Sequence, residues 1–123
     1  MTVDELAKAS ELRLDQLREL EQYGIVSGRA VGGTTYYDEE CLVAAKLAAG
    51  FLRFGVEPRH LRMYKTAAER EAGFFEQIVM PMLKQRNPRS RRQALDTLVE
   101  LSRLGQGLRA AMLRMALREH TSG

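Results

Sequence analysis

One stretch constrains the fold of this chain more than any other. Residues 2–26 read TVDELAKASELRLDQLRELEQYGIV. Thr2-Val3-Asp4-Glu5 has the form of a capping box, a Thr N-cap with Glu three residues on. Val3, Leu6 and Ala7 then make the buried stripe of a first short helix, ending near Ser10. A second helix is expected from about Leu14 to Tyr23, with Leu17 and Leu20 inward and Gly24 as its stop. Ile25 and Val26 return to the core. Two short amphipathic helices joined by a tight turn are the frame of a helix-turn-helix, whose second helix in DNA-binding examples lies in the major groove.

The remaining punctuation completes the architecture. Gly32-Gly33 between β-prone runs predicts a hairpin, a small wing of Arg29–Val31 and Thr34–Tyr36. Asp38 caps a third helix over DEECLVAAKLAAGFLRFG, closed by Gly55. Pro58 opens a fourth helix at its first turn. Leu61, Tyr64, Ala68, Phe75, Ile78 and Met82 form its apolar stripe, interrupted by Glu71. Pro81 is expected to kink or end that helix. Asn87-Pro88 starts a last helix reaching about Glu119, with a frayed tail from His120. Along it Ala94, Leu98, Leu101, Gly105, Leu108, Met112 and Met115 step by four and three, a heptad seam. The connection between the two long helices is short, so they are expected to pack antiparallel. The fold class is all-α with a small two-stranded wing: a winged helix-turn-helix over 1–57, then a long antiparallel two-helix hairpin over 58–123 that serves dimerisation.

The order of these motifs resembles the MerR family of bacterial transcription regulators. TVDELAKAS is similar to that family's first helix, LRELEQYGIV to its second, GGTTYYDEECL to its wing and third-helix start, and FGVEPRHLRMY to its Gly turn and fourth helix. The resemblance covers about residues 2–65. The run YGIV…YDEECLVAA…FGVEPRHLRMYKTAAERE looks closer still to the divergent C-terminal winged-helix domain of two-domain MerR-like regulators from high-GC bacteria. That resemblance implies that the chain is a fragment and that DNA is bound through another domain of the full-length protein. A balance of 15 Arg to 4 Lys fits such a genome.

The charges depart from a DNA reader. The chain carries +3 overall. Residues 1–26 hold three basic against six acidic side chains, whereas residues 58–123 hold thirteen against six. Duplex binding draws most of its affinity from Lys and Arg on phosphates. In the second helix Asp15, Glu19 and Glu21 stand beside a single Arg18. In the wing, where the resemblance implies an Arg, Thr34 and Thr35 follow the glycines, with only Arg29 basic nearby. The winged helix therefore reads as degenerate for DNA.

Each candidate site has two readings. Asp15, Glu19 and Glu21 are an acidic docking face for a basic protein partner, or a solvated helix face. Lys84, Arg86, Arg89, Arg91 and Arg92 are a secondary phosphate contact, joining Arg18 and Arg29 as candidate nucleic-acid contacts, or a solvated interhelix turn. Leu98, Leu101, Leu108, Met112 and Met115 are a seam within the hairpin or between two copies. Val43, Ala44, Ala49 and Gly50 on the third helix read as packing under the long helices, or as a partner surface. Met63, Met80, Met82, Met112 and Met115 read as core rather than an effector pocket, and Phe74-Phe75 and Tyr36-Tyr37 as packing.

No grouping of Ser, Cys, His and carboxylate suggests an enzyme, and Cys41, His60 and His120 give no metal-ligand spacing. No cofactor is implied. A lone cysteine fits a reducing cytoplasm. No apolar run approaches the ~18 residues of a membrane span. The expected role is a cytoplasmic, homodimeric regulatory and dimerisation domain acting by protein or effector contact. Direct duplex binding through the winged helix is the first alternative. A small-molecule sensor with a pocket between wing and hairpin is the second.

Overall fold

The capping box that the sequence announces at Thr2 is formed. Thr2 Oγ1 accepts from Glu5 N–H, and Glu5 Oε1 accepts from Thr2 N–H. It starts α1 (Val3–Ser10). In this computed structural model, which describes residues 1–121, there follow α2 (Leu14–Gln22), β1 (Arg29–Val31), β2 (Thr34–Tyr36), α3 (Glu39–Leu52), a 3-10 turn (Pro58–Leu61), α4 (Arg62–Lys84) and α5 (Pro88–Thr121). This is the expected all-α class with a two-stranded wing. Residues 122–123, part of the tail expected to fray from His120, lie outside the described residues; α5 itself continues to Thr121.

The chain forms two compact units, Met1–Glu69 and Arg70–Gly123. In the first, Leu6, Leu17, Leu20, Val26, Ala45 and Leu61 are at most 4% exposed and make the core. The alanines of α3 allow α1 to lie close against it. The hairpin pairs Arg29 with Tyr36, Ala30 with Thr35 and Val31 with Thr34. Gly32 and Gly33 both have positive φ, 56° and 83°. That is the demand of a two-residue turn whose twist matches the strands. The start of the chain is tied to the end of the wing: the Met1 amine donates to Tyr37 O, and Tyr37 N–H donates to Met1 O at 2.7 Å.

In the second unit α4 and α5 form the antiparallel hairpin, turned by residues 85–87. Asn87 Oδ1 accepts from Ser90 N–H at 2.8 Å, so Asn87 caps α5 as its position before Pro88 suggests. Val79 and Ala94 are fully buried between the helices. Glu71, the charged residue in the apolar stripe of α4, forms an ion pair with Arg109 on α5. Gly105 makes room for it, since a Cβ there would lie 2.8 Å from Glu71 Oε1.

Several expectations need correction. Pro58 opens a 3-10 turn, and the α-helix begins only at Arg62. Of the two outcomes expected of Pro81, a kink or an end, the end does not occur: α4 runs on to Lys84. Pro81 and Gln77, four residues earlier, are both exposed, so the carbonyl that loses its donor faces water. Val79, absent from the expected stripe, is the most buried residue of α4, while Ile78 is 38% exposed. The seam of α5 is half-buried at Leu98, Leu101 and Gly105 but exposed at Leu108, Met112 and Met115. Within its unit α4 contributes only residues 70–84. At 1.5 Å per residue that is roughly 22 Å, against roughly 51 Å for α5. Met112 and Met115 are thus not core; Met63, Met80, Phe74 and Tyr36 are exposed as well. On α3, Ala49 is buried and Ala44 and Gly50 are half-buried, but Val43 and Leu47 are exposed.

Candidate functional site

The face that reads DNA in a winged helix-turn-helix is built here by α2 and the wing. Leu17 and Leu20 turn into the core, which turns Asp15, Arg18, Glu19 and Glu21 outward. Gln16 Oε1 accepts from Arg13 N–H at 2.9 Å and closes the helix start. The three acidic residues do different things. Asp15 pairs with Arg13, Nε to Oδ1 at 3.0 Å. The hydrogen bond from that guanidinium holds the Asp15 carboxyl below its ordinary range and raises Arg13 in turn. Glu21 Oε1 accepts from the Tyr37 hydroxyl at 2.6 Å. Burial, and then the Glu21 bond, push the Tyr37 hydroxyl up to about 12. Glu19 is exposed and, among the described residues, has no hydrogen-bond or ion-pair partner.

Arg18 and Arg29 are exposed, on α2 and β1 respectively. Arg29 stands opposite Tyr36 in the hairpin register. Arg13 was missed in the sequence as a member of this face; its two-residue spacing from Asp15 is the signal that would have found it. Tyr37, read only as packing, is also the partner that fixes Glu21.

Lys84, Arg86, Arg89, Arg91 and Arg92 all lie exposed around the interhelix turn of the second unit. Arg86 takes a left-handed conformation, φ 52°. Arg86 and Arg91 line a depression of about 370 Å³ with Leu83, Asn87 and Pro88. The basic cluster and the α2 face thus belong to different compact units. On α5, Leu108, Met112 and Met115 continue the apolar seam past Gly105 at 49–63% exposure. Among the described residues no group of three His, Cys, Asp or Glu is placed to hold a metal. No described helix is long and apolar enough to cross a membrane.

Residues 1–121, through the winged helix and both long helices, match the family described as Rv1828-like, C-terminal domain. The chain belongs to that family. It is 29% identical over 116 residues to the uncharacterized HTH-type transcriptional regulators Rv1828 of Mycobacterium tuberculosis and Mb1859 of Mycobacterium bovis. The match takes in 94% of this chain and 46% of each relative, so the chain spans about half the length of the curated relatives it matches. As a member of the Rv1828-like C-terminal family, it corresponds to one part of a larger regulator in those relatives.

Proposed function

We propose that this chain is the regulatory and dimerisation domain of a MerR-like transcription regulator, working through protein or effector contact. The relatives' name supports the regulatory role, and the share of their length outside the match is where we place the DNA reader. We assign the degenerate winged helix to residues 1–57 and dimerisation to residues 58–123.

The observation that carries this reading is the apolar face of α5 beyond Gly105. On that face Leu108, Met112 and Met115 are about half exposed or more, with Leu104 bordering them, while Leu113 and Leu117 lie far around the helix. Leu104, Leu108, Met112 and Met115 amount to roughly 400 Å², a size of patch that on a soluble monomer is often functional. The heptad spacing of Leu108, Met112 and Met115 suits a second copy of the same helix. Asp15, Glu19 and Glu21 form the proposed surface for a basic protein partner, with Asp15 already half-neutralised by Arg13.

Light scattering on the purified chain is the test. It should give about twice the 13.9 kDa monomer mass at micromolar concentration. Leu108→Glu, at an exposed position, should give a folded monomer. Leu101→Glu, half-buried in the hairpin, should destabilise the fold as well. A clean wild-type monomer overturns the dimerisation reading.

A further inference from the structure

Over residues 41–52, α3 carries a single charge, Lys46. Ala45, Ala48 and Ala49 turn into the core of the first unit. Val43, Leu47 and Phe51 follow one another at four-residue steps and make a stripe on the opposite side of the helix. They are 52%, 64% and 38% exposed. Tyr64 sets its ring against Phe51, centroids 5.6 Å apart, and is itself half exposed. Phe54, two residues past the helix end, is 90% exposed. A helix that is apolar all round is normally covered all round, and here the first unit covers only the alanine side. The projecting end of α5 has the same character. Over residues 107–117 only Arg109 and Arg114 are charged. Leu113 and Leu117, both exposed, lie on the side away from the seam of Leu108, Met112 and Met115.

We infer that in the dimer the back of each projecting α5 lies on the α3 face of the other copy, Leu113 and Leu117 against Val43, Leu47 and Phe51. The inference rests on the dimerisation reading and deepens it by adding a second contact. Area is the first argument. The seam face of α5 offers roughly 400 Å² per copy, about half of what each partner gives to a standard interface. Val43, Leu47, Phe51, Phe54 and Tyr64 expose roughly 500 Å² more, which brings each copy to that size. Charge is the second. Glu39 and Glu40 stand exposed at the start of α3, and residues 1–69 hold nine basic against eleven acidic side chains. Residues 105–121 hold three basic against one acidic, with Arg114 bordering Leu113 and Leu117. Opposite charge around two apolar faces favours their meeting over a wrong pairing. Symmetry is the third. Both faces that lack cover stand on one chain, so a two-fold pairing covers each of them on both copies, and the assembly closes at two.

The chain contains no tryptophan, so Leu47→Trp places a lone reporter on the α3 face at an exposed position. Its emission should move to shorter wavelength as rising concentration carries the mass seen by light scattering from monomer to dimer. Adding Leu113→Glu with Leu117→Glu should leave the helix content unchanged by circular dichroism, since both positions are exposed. It should weaken the dimer at least about tenfold and keep the indole in water in the dimer that remains. Leu95→Ser with Val99→Ser, exposed on the same side of α5 but nearer the interhelix turn, should change neither the dimer nor the emission. A dimer whose indole stays exposed overturns the inference and leaves the dimerisation reading standing. An indole buried at every concentration also overturns it, because the cover then comes from the same chain. So does burial that persists in the dimer carrying Leu113→Glu and Leu117→Glu. A monomer at all concentrations removes both readings.

Discussion

At the scale of single residues, the acidic face of α2 resolves into one structural and one free carboxylate beside a neutralised one. Glu21 holds Tyr37, so Glu21→Ala is expected to cost about 1 kcal/mol, the usual worth of a hydrogen bond whose partner is left buried. Glu19→Ala should be neutral within about 0.5 kcal/mol, as at other exposed positions. Thermal melts of the two variants check this. Tyr37 also sets a pH dependence. Its folded pKa is raised to about 12 from an ordinary value of 10.0, so folding favours the protonated hydroxyl. The stability it contributes is whole below pH 10 and is lost as pH rises toward 12. Melts of wild type and Tyr37→Phe between pH 9 and pH 12, differing only in this group, should converge across that window. Parallel curves would mean that the hydroxyl does not titrate there.

At the scale of elements, the first unit was legible because its signals are local. A capping box, two inward leucines, a Gly-Gly turn and an Asp cap each act within four residues of themselves, and each forms as read. Side-chain bonds across elements were not legible: Tyr37 to Glu21 spans sixteen residues, and Glu71 to Arg109 spans thirty-eight. The heptad seam of α5 was visible, but not where its cover ends. That depends on how much of α4 runs beside it, and no periodicity encodes it. Glu71 looked like a flaw in a stripe until Gly105 was seen to admit it. This yields a cycle. Gly→Ala inside a helix normally stabilises by about 1 kcal/mol. Gly105→Ala should gain little or nothing, because its Cβ meets Glu71 and Phe75. In a Glu71→Ala background the same change should recover much of that gain. Chemical denaturation of the four proteins measures the coupling, and additive effects would mean that Gly105 has no such role.

At the scale of the whole molecule, the face built by α2 and the wing carries Asp15, Glu19 and Glu21, whereas duplex binding draws on Lys and Arg. A basic cluster, Lys84, Arg86, Arg89, Arg91 and Arg92, lies around the interhelix turn, in the other compact unit. Non-specific binding through a few phosphates falls steeply with salt, and a specific complex adds base contacts that survive it. The direct measurement is fluorescence anisotropy of labelled duplexes, carrying promoter and scrambled sequence, with this chain alone across a salt series. The account predicts equal weak binding to both at low salt, abolished by about 150 mM salt. It also predicts that this weak binding is removed by Arg89→Ala with Arg92→Ala and left unchanged by Arg18→Ala with Arg29→Ala. A sequence-specific complex that persists at that salt and is lost with Arg18 and Arg29 would contradict it.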